Sequence, residues 1–308
     1  MSKALLFSGQ GSQYVGMLKE VSSKFPSIEQ KLNQANEILG FDIKEIMFEG
    51  PAEKLKETRY TQPALFLHSA CLFDLIKDKL EYSVVAGHSV GEFAALYAAG
   101  VISFEDSLKL VALRGNLMFT AGEKVLGTMF AVIGVADEKV EEICNTLTQN
   151  GNGNVVVAAN FNSTGQVVVS GSAEYLRANA SAFKEGGAKM VSELQVSGAF
   201  HSPLMQPAKE ELEAAINKIS FNNANVPVYV NISGLPVSDA NELKISLIKQ
   251  LTSAVRWTQT MNNMHANSIN AYIEIGPSKV LQGLTKRTLS GVEISGFDTF
   301  ADIEKIIA

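Results

Sequence analysis

A chain of 308 residues exceeds the usual single-domain length and can bury a large core. Its 46% hydrophobic and 19% charged residues place it in the soluble globular class, and a net charge of −6 without a basic run argues against nucleic-acid binding. No apolar stretch approaches a membrane span, and the apolar run in MSKALLFSGQ is too short for a signal peptide; Cys71 and Cys144 sit far apart in apolar helical patterns and read as core thiols of a reducing, cytoplasmic setting.

Taken in chain order, Ala4 to Phe7 predicts a short strand, followed at once by Ser8-Gly9-Gln10-Gly11-Ser12-Gln13. Tyr14 stands where G-x-G-x-x-G needs its third glycine, so the dinucleotide fingerprint fails. The turn still leaves backbone N–H groups free for an anion. Ser27 and Gln30 predict a capping box for a helix that ends at Gly40. Thr61 predicts the cap of a second helix, apolar on most faces, which puts His68 in the core.

The stretch SVVAGHSVGEFAALYAAG then brings an apolar strand (Val84 to Ala86), the turn Gly87-His88-Ser89-Val90-Gly91, and an Ala-rich helix closed by Gly100. Strand, G-x-S-x-G, helix is the context of a nucleophile elbow, with Ser89 at the tip and at a helix N-terminus. The same pattern also serves as a plain Gly/Ser turn between a strand and a helix.

Ser103 predicts the cap of the next helix, on which Arg114 is flanked one turn away by Leu110, Val111, Leu117 and Met118. A guanidinium projecting from an apolar surface needs an anion. An Asp or Glu elsewhere in the chain could supply it, as could the carboxylate of a substrate held bidentately.

Between Gly127 and Val196 the pattern reads β-α-β-β-α-β, a ferredoxin-like unit. Ser202 and Pro203 then form an N-cap and N1 pair, so His201 falls on the hinge where the chain returns. The remainder alternates: strand PVYVNI, helices ISLIKQLTSAVRW and WTQTMNNMHAN, strand AYIEIG, helix PSKVLQGLTKR, then a strand and a helix. The predicted fold is α/β. Its hydrolase-like large domain, with a parallel sheet, takes residues 1–126 plus 197–308, and an inserted ferredoxin-like subdomain takes 127–196.

A serine hydroxyl needs a base, and its tetrahedral intermediate needs preorganised donors. Of the four histidines, His88 is bonded to Ser89 along the chain and points away, His68 is in the core, and His265 ends a polar helix. Elimination leaves His201.

These residues, taken together, resemble the malonyl-CoA:acyl carrier protein transacylases of fatty acid synthesis and, more broadly, the acyltransferase domains of polyketide synthases. The marks are Gly9-Gln10-Gly11-Ser12-Gln13, Thr61-Gln62-Pro63-Ala64, Gly87-His88-Ser89-Val90-Gly91-Glu92, Arg114-Gly115 with Met118, Asn160-Phe161-Asn162-Ser163, Ala199-Phe200-His201-Ser202 and Glu274-Ile275-Gly276-Pro277. The resemblance covers essentially the full length. It implies that Ser89 is acylated, that His201 is its base, and that a main-chain carbonyl at Gln250 orients the histidine. It also implies an oxyanion hole from the Gln10 and Val90 N–H groups, and substrate contacts at Arg114, which would clamp the malonyl carboxylate, at Met118 and at Phe200, whose size matches malonyl over methylmalonyl selection. The implied partners are malonyl-CoA and an acidic, phosphopantetheinylated acyl carrier protein, for which Lys189, Lys286 and Arg287 are candidate contacts, and no metal or redox cofactor is implied. Ser8 departs from the family, which usually has proline there; the donors of the turn are backbone groups, so little functional effect is expected.

Three rival readings stay open on the sequence. An α/β serine hydrolase shares the elbow but places its histidine late, whereas more than a hundred residues follow His201. A trans-acting polyketide acyltransferase has the same chemistry with a different carrier. A binding module that kept only the fold is disfavoured by the joint presence of Ser89, His201 and Arg114.

Overall fold

The computed structural model describes residues 2–307; Met1 and Ala308, the outer bounds of the expected large domain, lie outside the described residues. Its strands are β1 (Ser2–Phe7), β2 (Val84–Gly87), β3 (Gly127–Ile133), β4 (Val156–Ser163), β5 (Gln166–Ser172), β6 (Met190–Glu193), β7 (Val228–Tyr229), β8 (Pro236–Val237), β9 (Ile269–Ile275) and β10 (Glu293–Phe297). They form a six-stranded sheet in the order β10-β9-β1-β2-β7-β8 and a four-stranded sheet in the order β4-β5-β3-β6. The larger sheet is parallel except for the edge pair β7–β8, and the smaller is antiparallel throughout.

The apolar runs predicted as strands explain the layering. Leu5, Phe7 and Val85 join the core on one face of the large sheet, whereas Ala4, Leu6, Val84 and Ala86 join that on the other. A parallel sheet covered on both faces needs such runs without alternation. The central helices Thr58–Ile76 and Phe104–Lys124 lie against the first of these faces. The small sheet, with the helices Asp137–Gln149, Ala173–Asn179 and Ser181–Glu185, closes a separate core around Val132, Val140, Phe161, Val169 and Phe183. The strand order and the two helical crossovers are those of the ferredoxin-like pattern.

The outgoing and returning chains of this unit touch. A Cβ at Gly122, near the end of the helix Phe104–Lys124, would overlap the Ser197 carbonyl, and one at Gly127 would crowd Ala199.

Local start signals were misplaced in several elements. The helix Pro26–Leu39 is entered through Phe25 with Pro26 in its first turn and no side-chain cap, so the Ser27–Gln30 capping box does not form. Proline with its fixed φ already supplies the start. Thr61 lies inside the helix Thr58–Ile76, where its hydroxyl donates to the Leu55 carbonyl, and Pro63 sits in the second turn, not the first. The helix expected from Ile245 to Trp257 is Ala240–Gln250, capped by Asp239, whose carboxylate accepts from the Asn241 and Glu242 N–H groups. The single helix expected over 173–187 is broken into two. Ser103 caps its helix as expected, accepting from Asp106 N–H, and Ser202 accepts from Leu204 N–H ahead of the helix Gln206–Ile216.

Candidate active site

Ser89, the Gln10 turn and Asn231 all follow the carboxyl ends of neighbouring parallel strands, where open α/β sheets place their ligands. The Ser89 turn is tight enough to demand its glycines: a Cβ at Gly87 would overlap the Gly91 carbonyl, and one at Gly91 the Phe7 carbonyl. Ser89 itself has φ 52°, the left-handed region that a non-glycine residue occupies only when its surroundings hold it there. Asn231 does the holding. Its Oδ1 accepts from Ser89 N–H at 2.7 Å, and its Nδ2 donates to the Gly87 carbonyl at 2.7 Å.

His201, also at positive φ (56°), sits with Nε2 2.8 Å from Ser89 Oγ and Nδ1 3.0 Å from the Gln250 carbonyl. A carbonyl only accepts, so Nδ1 carries the proton and Nε2 faces the hydroxyl as an acceptor. Burial, with the Arg114 cation adding to it, pushes the imidazole down to about 3, and it stays neutral. The other histidines are elsewhere. His88 turns its Nε2 to Asn162 Oδ1 at 2.8 Å, and its ring meets Trp257 edge to face. His68 is buried in its helix with Nε2 3.1 Å from Asp298 Oδ1, and His265 is exposed.

Arg114 is fully buried, and its guanidinium is held by two carboxamide oxygens: Nη1 donates to Gln62 Oε1 at 2.8 Å and Nη2 to Gln250 Oε1 at 3.0 Å. Nη2 also reaches Ser89 Oγ at 3.2 Å, while Nε has no partner. Burial lowers its pKa to about 10, which leaves it cationic near neutrality. The acidic residue of the network is Glu92, one residue beyond the G-x-S-x-G turn, whose Oε2 accepts from Gln250 Nε2 at 2.9 Å and from Asn231 N–H at 3.0 Å. Burial pushes Glu92 up to about 7 against the pull of these donors and of Arg114.

Among the described residues, the amide N–H groups of Gln10 and Val90 have no protein acceptor, whereas that of Ser89 is taken by Asn231. The cleft beside Ser89 and His201 is walled by Gln10, His88, Met118 and Phe200 from one side. Met129, Asn160, Asn162 and Val168 of the small sheet, with Leu194 and Val196, complete it. Met118 and Phe200 thus line the same cleft as Ser89 and His201. Arg114, Val90 and Gln250 are not walls; Arg114 meets the cleft at Ser89 Oγ. An adjoining cleft shares Gln10, His88 and Asn162 and extends to Val280 and Arg287. Lys286 and Arg287 are exposed on the helix Val280–Thr288, and Lys189 is exposed just before β6. Ser8, which stands where proline is usual, donates from Oγ to Glu274 Oε1 at 2.8 Å, and Glu274 accepts the N–H groups of Leu281 and Gln282.

Three residues of this network carry no sequence signature of their role: Gln62, Glu92 and Asn231. Gln62 lies within Thr61-Gln62-Pro63-Ala64 and Glu92 directly follows Gly91 of the elbow. Asn231 ends the apolar run PVYVN, and a polar residue at the carboxyl end of a buried strand was the available signal.

The whole chain is similar to known proteins. The acyl transferase domain family model matches residues 4–300. The malonyl CoA-acyl carrier protein transacylase of Haemophilus influenzae is 39% identical over 99% of this chain and 98% of its own. The crystal structure of an acyl carrier protein S-malonyltransferase from Vibrio cholerae superposes with a TM-score of 0.93 at 38% identity, covering 99% of this chain and 100% of that one. A malonyl-transacylase solved in complex with its type II polyketide acyl-carrier protein gives a TM-score of 0.93 at 36% identity, with 99% of both chains covered. The chain belongs to the acyl transferase family, and within it to the malonyl CoA-acyl carrier protein transacylases.

Proposed function

We propose that this enzyme transfers the malonyl group of malonyl-CoA to the phosphopantetheine thiol of acyl carrier protein, in two steps through a malonyl-Ser89 ester, supplying fatty acid synthesis. The observation that carries the reading is the line Ser89 Oγ–His201 Nε2–Gln250 carbonyl, with Arg114 against the same hydroxyl. In the first step His201 Nε2 takes the Ser89 proton as Oγ attacks the thioester carbonyl. The Gln10 and Val90 N–H groups hold the oxyanion. Collapse breaks the C–S bond, and the proton passes from His201 to the departing CoA thiolate. In the second step His201 takes the carrier thiol's proton, the thiolate attacks the ester, and the proton returns to Ser89. Arg114 binds the free carboxylate of the malonyl group, and its unpartnered Nε and surrender of the Ser89 contact leave it donors to do so.

Phe200 and Met118 limit the space beyond the carboxylate, which favours an unbranched acyl unit. The adjoining cleft toward Arg287 suits the pantetheine arm common to both thiols, and the exposed cations there suit an acidic carrier. The large unit comprises 1–126 plus 197–308 and the small unit 127–196, so the cleft has one wall from each. A cytoplasmic location fits the two buried, free cysteines, and among the described residues no helix is long and apolar enough to cross a membrane. The likeness to a polyketide malonyl-transacylase favours one second reading, the same transfer to a polyketide carrier.

The test is incubation with malonyl-CoA and holo carrier protein, with products weighed by mass spectrometry. Malonyl should appear on Ser89 and then on the carrier. Transfer that survives Ser89→Ala rejects the assignment.

A further inference from the structure

Arg114 must hold its guanidinium in one orientation before the substrate carboxylate arrives, and it does so in an apolar shell that offers few acceptors. One of its two anchors is Gln250 Oε1. A carboxamide can turn over, exchanging its oxygen for its NH2 with little change of shape. Turned over, Gln250 would point a donor at the Arg114 donor. What prevents this lies on the other side of the amide: Nε2 donates to the Ser89 carbonyl and to Glu92 Oε2, both at 2.9 Å. Glu92 is itself 1% exposed and is fixed by the Asn231 backbone N–H on the same oxygen. A residue that ends next to the elbow thus reaches the clamp across 158 positions of sequence.

We infer that Glu92 is a positioning residue for acyl-group selection: its Oε2, together with the Ser89 carbonyl, sets which way the Gln250 carboxamide faces, and so holds Arg114 ready for a carboxylate-bearing acyl group. The inference rests on the proposed role of Arg114. What Glu92 contributes is an acceptor at one place, and its charge is secondary. Gln at this position can present its own oxygen there; Asp keeps the charge but withdraws the oxygen by one methylene; Met matches the length and presents no hydrogen-bonding oxygen.

The test measures kcat/KM for malonyl-CoA and for acetyl-CoA with wild type, Glu92→Gln, Glu92→Asp, Glu92→Met and Arg114→Ala, with circular dichroism to confirm folding. Loosening the clamp should cost malonyl about ten-fold or more relative to acetyl in Glu92→Met and Glu92→Asp, on the scale of a small misplacement. Glu92→Gln should keep the malonyl-to-acetyl ratio within about three-fold, since the acceptor is retained. Should Glu92→Met fail to fold, the Asp and Gln pair decides alone. Equal losses on both substrates, or a ratio kept by Asp and lost by Gln, overturn the inference. If Arg114→Ala also fails to discriminate malonyl from acetyl, the clamp reading falls with it; if Arg114→Ala discriminates and the Glu92 variants do not, only the present inference falls.

Discussion

Arg114 Nη2 lies 3.2 Å from Ser89 Oγ, so the buried cation and the nucleophile are in direct contact. With Nε2 of His201 accepting the hydroxyl proton, the lone pairs of Oγ face a guanidinium, an arrangement that favours the developing alkoxide. On the proposed clamp role, an arriving acyl carboxylate would compete with Ser89 Oγ for Nη2, so that recognition of the substrate and the setting of the nucleophile are coupled.

Arg114→Ala should therefore lose malonyl transfer by about 2–4 kcal/mol, the scale for removing one partner of a buried charge pair. Acetyl-CoA, which brings no carboxylate, should lose much less. Parallel kcat/KM measurements on the two substrates decide it, and equal losses would remove the clamp role.

The histidine gives a pH signature. His201 has its proton affinity lowered from 6.5 to about 3 by burial and by Arg114, so kcat/KM should show no acid limb near 6.5. Its contribution to stability has a definite sign. Below 6.5 the unfolded chain protonates this histidine and the native state does not, so stability falls with pH through the window down to about 3. Glu92, raised from 4.5 to about 7, acts in the opposite sense between those values. Comparing urea midpoints of wild type and His201→Gln at pH 7 and pH 5 isolates the histidine: the variant should lose less stability on acidification.

Two glycine substitutions should differ sharply. A Cβ at Gly87 meets backbone of the elbow, which cannot move away, so Gly87→Ala should cost several kcal/mol and abolish acylation. Gly11 has φ +103° but nothing within 4 Å of its would-be Cβ, so Gly11→Ala should cost only about 1–2 kcal/mol of backbone strain. Denaturant unfolding of the two variants checks the contrast.

Phe200 borders the cleft beside His201. Phe200→Ala should raise kcat/KM for methylmalonyl-CoA relative to malonyl-CoA, with Ser89 acylation preserved. An unchanged ratio would show that another wall sets acyl size.

Much of this site was legible because its chief members carry local signatures. Ser89 has glycines on both sides and the right flanking elements, His201 precedes a cap-proline pair, and Arg114 stands alone on an apolar helix face. The ferredoxin-like unit was legible from the order of its periodicities. What escaped were relations between distant residues. Asn231 meets Ser89 and Gly87 across more than 140 positions, and no periodicity encodes that pairing. Helix starts failed for a different reason. Ser27 and Thr61 are good caps in isolation, but the chain had entered both helices earlier, at Pro26 and at Thr58. The anion expected for Arg114 illustrates the first point: among the described residues its hydrogen bonds go to two carboxamides and a hydroxyl, and the carboxyl group of Glu92 is linked to it through Gln250.

The contact of Gly122 with Ser197 and of Gly127 with Ala199 has a consequence for how such enzymes can diversify. The chain leaves the large unit after the helix Phe104–Lys124 and rejoins it at Ser197–Ala199, and β4 is tied to it a second time, the Phe161 N–H donating to the Val255 carbonyl and the Val255 N–H to the Ala159 carbonyl. Ser89, His201, Gln250 and Arg114 all lie outside the small unit, whereas Met129, Asn160, Asn162 and Val168 lie within. Substitutions at Met129 and Val168, on the inner side of the small sheet, would redraw one wall of the cleft without touching the reacting groups, a route by which acyl preference could drift while the chemistry stands still.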